Sequence, residues 1–551
     1  MSRASRVIAS LVLAIIAVSA VAFAQTSSPD AQFTATLGEL RDAGFADKEA
    51  IIDRLVASGH RNTAAVLTAM LEDRFYVRNS DQALVITRTP EDGSKPLDLI
   101  DPITLRAIGP IALDQLTRIG TNNRLRRVLR TASARFALSS EDASVRLNAV
   151  REMNRALEAG SIELLQQRAT VETDQRVKRE IETGLALAAL DGSERQARLD
   201  AIRVLSKRLS PEVRNRLAAL VERTPDGGDA EPDAAIREAA AKAIDSIDFV
   251  RSIYAGIETL FFGLSLGSVL VLIAIGLAIT FGVMGVINMA HGELMMLGAY
   301  TTYVVQLAMP GHLEISILVA IPAAFLVTGL AGVILERTVI RFLYGRPLET
   351  LLATFGVSLL LQQFVRSVFS ANNRTVVTPQ WMSGTWQIND ALGITYNRLF
   401  IVLLTAAVFA VLLGVLRHTR LGLHIRAVAQ NRGMARAMGI PSEWVDAMTF
   451  GLGAGIAGVA GVALSQLTNV GPNLGQAYII DSFMVVVFGG VGNLWGTLIG
   501  GMSLGIINKL LEPYAGAVLG KIFVLVALIL FIQRRPRGLF PQTGRAAESA
   551  S

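Results

Sequence analysis

The sequence predicts an all-α chain with two parts, an N-terminal extracytoplasmic helical domain and a polytopic membrane domain of about nine helical spans. Two observations lead to this fold class. Hydrophobic residues make up 51% of the 551 residues although 18% are charged, and a uniformly soluble chain does not combine these values. Charges recur every few residues from Ala31 to Arg251, whereas long apolar stretches dominate from Leu260 to Phe531. We therefore divide the chain into residues 1–24, 25–250 and 251–540 and a cytoplasmic tail, 541–551.

Residues 1–24 have the three parts of a secretory signal peptide. Arg3 and Arg6 give a short positive start, residues 8–23 are apolar, and residues 22–24 read Ala-Phe-Ala, the small-residue pattern that signal peptidase cleaves. Cleavage would make Gln25 the first residue. An uncleaved anchor helix is the alternative, but the apolar run is short for ~30 Å of hydrocarbon. We therefore expect the following domain to lie outside the cytoplasm.

The composition excludes several classes of function. The net charge is +6, but acidic and basic residues alternate in the first half, so there is no basic stripe for nucleic acid. The chain has no cysteine, and only one histidine precedes residue 291, which excludes thiolate chemistry and a Cys/His metal cage there. None of the lysines ends a Walker A loop, so the chain has no ATP site of that kind. We predict no catalytic site and no cofactor.

The first half contains four similar helical segments. Each has an acidic residue or proline followed by an apolar–basic pair, and the pairs are Val145-Arg146, Val177-Lys178, Val213-Arg214 and Ile236-Arg237. Their spacings of about 32, 36 and 23 residues resemble degenerate HEAT-like repeats, in which each helix pair buries its apolar face on a neighbour. Because the spacing drifts, a non-repeating helical bundle stays open. Residues 76–77 and 83–87 interrupt the helical pattern and predict a small β-hairpin.

Nine apolar segments of the second half approach the length of a membrane span. A helix needs ~20 residues to cross the hydrocarbon layer, and several segments are shorter than that. A glycine-rich break leaves open whether the seventh and eighth are one bent helix. The segments are residues 260–283, 294–309, 315–335, 351–369, 399–416, 448–467, 479–491, 494–511 and 518–532.

Arginine placement gives the orientation of these segments, because cytoplasmic loops are enriched in Lys and Arg. With the N-terminal domain outside, the loops after the third and fifth segments and the tail fall in the cytoplasm. The arginines concentrate there: Arg337, Arg341, Arg346, Arg417, Arg420, Arg426, Arg432, Arg436, Arg534, Arg535 and Arg537. Residues 469–478, which fall outside, carry no charge.

The sixth segment is rich in glycine. It contains a formal GxGxxG pattern, but a dinucleotide-binding turn requires a preceding strand and a soluble βαβ unit. Small residues three or four apart in an apolar helix instead allow two helices to approach closely. We therefore predict that Gly451, Gly455 and Gly458 form a helix-packing seam.

The arginine-rich loop between the fifth and sixth segments predicts a contact with a partner. Residues 423–438 predict a short amphipathic helix or helix pair, Arg/Ala-rich over residues 426–438, that Gly439-Ile440-Pro441 ends. Such a helix suits docking into a groove of a protein partner, and a plain positive-inside loop is the alternative. We expect Arg426 and Gln430 to make polar contacts, Ala429 a close contact, and Ile440 to act as an anchor.

Three polar residues lie within or beside the first two spans. Asn288, His291 and Glu293 are candidates for the lining of a solute path, because ionisable groups inside a membrane are costly without a role. Interhelical hydrogen bonding or a place at the interface is the alternative interpretation. A membrane-anchored scaffold or sensor is the candidate function from another class.

Several sequence blocks, in order along the chain, carry a resemblance to a known family. They are residues 263–270, residues 276–300 with the run Asn-Met-Ala-His-Gly-Glu, residues 426–431 and 437–440, and residues 488–497. These blocks resemble permeases of the branched-chain amino acid and urea ABC importers. The resemblance covers residues 257–540, about half of the chain.

The resemblance implies a permease subunit of the bacterial inner membrane and not an enzyme. It implies a second permease subunit in a heterodimer, cytoplasmic ABC ATPase subunits that energise transport, and an extracytoplasmic solute-binding protein. Amino acid permeases of this family lack a long secreted domain, whereas the urea-transport permease has one. We therefore rank urea or a short-chain amide first as the substrate, and branched-chain or other amino acids second.

Overall fold

The computed structural model describes residues 29–88, 96–155, 157, 159–226 and 228–540. The predicted signal peptide and the predicted cytoplasmic tail lie outside these residues. The chain divides into two compact units, Met1–Asp248 and Phe249–Ser551.

The first unit begins with three helices and a small sheet. The helices are α1 (Pro29–Glu39), α2 (Phe45–Ala57) and α3 (Thr63–Leu71), and the strands are β1 (Phe75–Arg78), β2 (Leu84–Thr87), β3 (Leu97–Ile100), β4 (Ala107–Ile111) and β5 (Leu116–Arg118). The five antiparallel strands lie in the order β4-β3-β2-β1-β5. The predicted hairpin is confirmed as β1 and β2, in which Tyr76 pairs with Val85.

Six further helices of the first unit follow the sheet in the sequence. They are α4 (Asn123–Ala137), α5 (Ala143–Arg155), α6 (Ala159–Val171), α7 (Gln175–Ala189), α8 (Arg195–Leu205) and α9 (Pro211–Val221), and α10 (Ala234–Met284) follows. The four apolar–basic pairs lie at the starts of α5, α7, α9 and α10. The spacing therefore drifts because a helix intervenes between the earlier pairs and none intervenes between α9 and α10.

Each of these four helices starts in the same way. A capping residue four positions before the basic residue accepts a hydrogen bond from a first-turn N–H: Asp142 from Ser144, Asp174 from Arg176, Ser210 from Val213 and Asp233 from Ala235. Two of the basic residues also have equivalent partners. Arg146 donates to the carbonyls of residues 140 and 141, and Arg237 donates to those of residues 231 and 232. The repeated pattern is therefore a repeated helix start.

A buried ion pair links two of these helix starts. Arg146 Nη2 lies 2.8 Å from Glu172 Oε1, and the two side chains are 8% and 0% exposed. Glu172 also accepts hydrogen bonds from the N–H groups of Thr173 and Asp174, just before α7. The hydrogen bonds from Arg146 are the main reason that the pKa of Glu172 falls to about 2. Glu231, two residues before Asp233, pairs with Arg198 in the same way.

The second unit is built of long helices. Besides the end of α10, they are α11 (His291–Ala308), α12 (Leu313–Thr338), α13 (Pro347–Phe369), α14 (Tyr396–His418), α15 (Arg420–Gln430), α16 (Arg432–Ala437), α17 (Ser442–Ser465), α18 (Leu474–Gly489) and α19 (Leu494–Arg534). Strands β6 (Thr385–Asn389) and β7 (Leu392–Thr395) form a hairpin between α13 and α14.

Six of the described helices are long and apolar enough to cross a membrane: α10, α12, α13, α14, α17 and α19. The predicted polytopic helical architecture is confirmed, and each of the nine predicted segments overlaps a helix. Helix α18, with 16 residues, is shorter than a span. Helix α19 contains two of the predicted segments, separated by Gly516 with φ 75°.

The seventh and eighth predicted segments are two separate helices. Gly490 and Gly492, between α18 and α19, have φ values of 102° and 76°, which favour glycine and end the helix. The N–H groups of Leu539 and Phe540 donate to the carbonyls of Phe488 and Gly489. Residues 539 and 540 are therefore hydrogen-bonded to the C-terminal end of α18.

Candidate functional site

The link between α10 and α11 breaks the helical backbone inside the second unit. Residues 285–290 are not helical, and the side chain of Asn288 is buried. Asn288 Oδ1 accepts a hydrogen bond of 3.0 Å from the N–H of Ala290. The N–H of Met289, the residue after Asn288, donates to Thr354 Oγ1 of α13 at 3.1 Å. Side chains therefore satisfy polar groups that the interrupted helix leaves free.

His291 and Glu293 lie at the start of α11 but do not share a site. His291 Nε2 donates to the carbonyl oxygen of Ile273 in α10 at 3.0 Å. Glu293 Oε1 accepts from Ser358 Oγ at 3.1 Å and from Gln362 Nε2 at 2.7 Å, both in α13. Glu293 is 1% exposed, and its Oε2 has no hydrogen-bond partner among the described residues.

The partners of this segment form a polar stripe along α13. Thr350, Thr354, Ser358 and Gln362 are four residues apart and buried, so they lie on one face of the helix. Arg366 continues that face and donates to Asn473 Oδ1 at 2.7 Å. Sequence analysis missed the stripe, although polar residues repeated every four positions in an apolar helix are a readable signal.

The three glycines predicted to pack helices lie against α12. A Cβ atom on Gly451 would lie 2.7 Å from Val333 Cγ2, and one on Gly455 would lie 2.7 Å from Phe325 Cδ2. A Cβ on Gly458 would lie 2.8 Å from the carbonyl oxygen of Ala324. At all three positions, helix α17 approaches α12 with no room for a side chain.

The arginine-rich loop forms two short helices, α15 and α16. Arg426, Ala429 and Gln430 are exposed on α15, and Arg426 Nη1 donates to the carbonyl oxygen of Leu416. Gly439 follows α16 with φ 83°. Ile440, predicted as an anchor, is half-buried and packs against a cluster of the chain itself, formed by Ile425, Val428, Ala435 and Val445.

Other apolar side chains are exposed on the same loop. Leu423, Met434 and Met438 have exposed fractions of 57%, 61% and 77%. On the same loop, Arg432 pairs with Asp446 of α17, and its guanidinium carbon lies 3.8 Å from the ring centroid of Tyr344. The two short helices are therefore tied to the helical bundle and present apolar side chains to their surroundings.

Comparison with known proteins assigns the second unit. The sequence profile described as "branched-chain amino acid transport system / permease component" matches residues 259–532. The permease protein LivH of a branched-chain amino acid transport system of Salmonella typhimurium is 32% identical over 293 residues, which are 51% of this chain and 94% of that protein. The chain belongs to this permease family. As a member, it is a transport permease component rather than an enzyme.

Two further permeases are similar to this chain. BraD of Pseudomonas aeruginosa, a branched-chain amino acid permease, is 32% identical over 52% of this chain and 96% of its own length. The ribose import permease RbsC of Escherichia coli is 27% identical over 50% of this chain and 85% of its own length. No solved structure matches the chain.

Proposed function

We propose that this chain is the membrane permease subunit of an ATP-driven importer of the ABC type, placed in the bacterial inner membrane. The observation that carries the proposal is the match of about half of this chain to 94% of a transport permease. The chain has no Walker A loop, so energy reaches it through a protein contact. The other subunits are cytoplasmic ABC ATPases, an extracytoplasmic solute-binding protein and a second permease.

The surface proposed for the ATPase contact is the exposed side of α15 and α16. Ala429 and Gln430 are exposed there together with Met434 and Met438. An exposed methionine pair on a loop that the arginine count places in the cytoplasm is suited to a groove on a partner, since Met adapts to irregular apolar surfaces.

The surface proposed for the second permease is the face of α18 and α19 around Lys521. The side chain of Lys521 is 51% exposed although it lies in an apolar helix. Its Nζ lies 2.8 Å from Asp481 Oδ2 in α18. A half-exposed charge inside a span is costly against lipid, which favours a second permease or a water-filled path at this face.

Two observations bear on the identity of the substrate. The names of the relatives favour branched-chain amino acids, but the same similarity group includes a ribose permease, so the family alone leaves the substrate open. The argument for urea or a short-chain amide is the first unit: LivH, matched over 94% of its length by about half of this chain, has no room for such a domain, whereas the resemblance to urea-transport permeases implies one. The names of the relatives support branched-chain amino acids better, so we place them first and keep urea or a short-chain amide as the second proposed substrate.

Uptake by cells with and without the gene tests this assignment. Cells receive labelled urea and labelled leucine in separate assays, and the deleted strain is complemented with the full chain. Loss of urea uptake alone supports the urea assignment, and loss of leucine uptake alone supports the amino acid assignment. Unchanged uptake of both solutes contradicts a role in importing either.

A further inference from the structure

None of the residues that the structure describes donates a hydrogen bond to Oε2 of Glu293, which is buried in the interior of the second unit. We propose that this oxygen, Oε2, is a solute-binding group that accepts a hydrogen bond from the N–H of an amide or ammonium group. The inference rests on the proposed function and adds the contacting atom and the chemistry of the solute.

The carboxylate is fixed in place through its other oxygen only. Ser358 Oγ and Gln362 Nε2 both donate to Oε1, at 3.1 and 2.7 Å. Oε2 is buried and accepts no hydrogen bond from the described residues. An unpaired buried acceptor is destabilising, so its presence favours a partner that arrives from outside the chain.

The first turn of α18 lies over this oxygen. A Cβ atom on Gly475 would stand 2.6 Å from Glu293 Oε2 and 2.5 Å from the carbonyl carbon of Gly292. The first N–H groups of a helix have no acceptor within the helix, so α18 offers donors beside the Glu293 acceptor. Interrupted membrane helices bind carboxylates of solutes with such N-termini.

A solute that fits this pair carries an oxygen acceptor and an N–H donor close together. Urea, a short-chain amide and an α-amino acid all do so. On α13, Arg366 lies one turn beyond Gln362 on the same face and is partly exposed, so the polar stripe reaches from Glu293 toward the surface of the unit.

The variant Glu293→Gln removes the proposed acceptor while keeping the shape of the side chain. Ser358 and Gln362 donate to Oε1, so they hold the amide oxygen there, and the NH₂ group takes the place of Oε2. With the amount of solute-binding protein held constant, we expect the half-saturating solute concentration for uptake to rise about tenfold or more. The membrane level of the protein and its association with ATPase subunits stay near normal.

The matched control is Glu336→Gln in α12. Glu336 is also buried and its Oε2 accepts no hydrogen bond from the described residues, but this oxygen lies 3.6 Å from Arg337 Nε, so its charge already has a partner in the chain. The half-saturating concentration should not change in this variant. A second test variant, Glu293→Asp, withdraws the carboxylate by one methylene. It should also raise the half-saturating solute concentration, as Glu293→Gln does.

Four results would overturn the proposal. The first is an unchanged half-saturating concentration in Glu293→Gln, and the second is an equal rise of that concentration in Glu336→Gln. The third is a lower maximal rate of uptake in Glu293→Gln with an unchanged half-saturating concentration. The fourth is failure of both Glu293 variants to reach the membrane, which would make Glu293 a structural residue. If the unmodified chain transports none of these solutes, the proposed function fails before this site is reached.

Discussion

Gly298 of α11 and Gly458 of α17 touch through bare backbone: a Cβ atom on Gly298 would stand 2.5 Å from the Cα atom of Gly458. Gly458 meets α12 as well, since its own Cβ would stand 2.8 Å from the carbonyl oxygen of Ala324. Helix α17 is buried over nearly its whole length. The glycines therefore set the distance between three helices at the centre of the second unit.

The first prediction concerns this contact. Gly458→Ala should destabilise the membrane unit by about 1–3 kcal/mol, because the methyl group meets backbone that cannot move aside. The level of folded protein in the membrane and its melting temperature in detergent measure the effect. Gly414→Ala in α14 is the control, since nothing lies within 4 Å of a Cβ there. Equal stability of the two variants would contradict the packing seam.

The second prediction concerns the ATPase contact. Ala429→Glu places a charge on the exposed face of α15 and should weaken ATPase binding by about 2–5 kcal/mol if that face is desolvated in the complex. Co-purification of ATPase subunits and solute uptake should fall together while the membrane level stays normal. Ala46→Glu, an equally exposed helical position in the first unit, should change neither. Normal co-purification in Ala429→Glu would move the contact elsewhere.

The third prediction concerns the buried pair of the first unit. The pKa of Glu172 is lowered to about 2 from 4.5, so its stabilising effect is complete above the ordinary value and is lost as pH falls toward 2. The difference corresponds to about 3 kcal/mol. Hydrogen exchange of amides in α5 and α7 of the full chain, followed from pH 7 downward, measures it.

The variant Glu172→Gln should remove most of this pH dependence and speed exchange at neutral pH, because Arg146 is then left without its charged partner. Glu238→Gln is the control. Glu238 pairs with Lys242 on the surface, where both side chains are largely exposed, and exposed pairs contribute little. If both variants exchange at the same rate at pH 7, the buried pair does not hold these helices together.

The fourth prediction concerns orientation. The mature protein should begin near Gln25, and reporter fusions near residue 200 should be active only with a reporter that works outside the cytoplasm. Fusions after Arg537 should show the opposite. N-terminal sequencing and paired reporter assays check both points. A mature chain that starts at Met1 or Ser2, or a reporter near residue 200 that works only in the cytoplasm, would reverse the predicted topology.

Hydrophobic periodicity and length predicted most of the helical architecture. Segments such as residues 448–467 are apolar over a full span and carry small residues at helical spacing, which leaves little choice of secondary structure. Helix starts such as that of α7 were also readable, because Asp174 precedes the apolar–basic pair by a fixed number of residues. Both features depend on residues close together in the sequence.

The features that sequence analysis missed depend on distant residues. Strand β4 contains Gly109 and Pro110 and is largely exposed. Its composition does not favour a strand, and it is a strand because it pairs with β3. The packing of Ile440 against Ile425 and Val445 likewise depends on how two short helices fold back. The environment of the Glu293 carboxylate also depends on α13 and α18, which lie far from Glu293 in the sequence.

The most direct test of the proposed function is solute uptake into proteoliposomes that contain the assembled transporter with ATP inside and the loaded solute-binding protein outside. We expect labelled leucine, or labelled urea if the second substrate is correct, to accumulate only when this chain and internal ATP are both present. Ala429→Glu should reduce the uptake. Accumulation that persists when this chain is omitted, or that does not depend on ATP, would contradict its assignment as the membrane path of an ATP-driven importer.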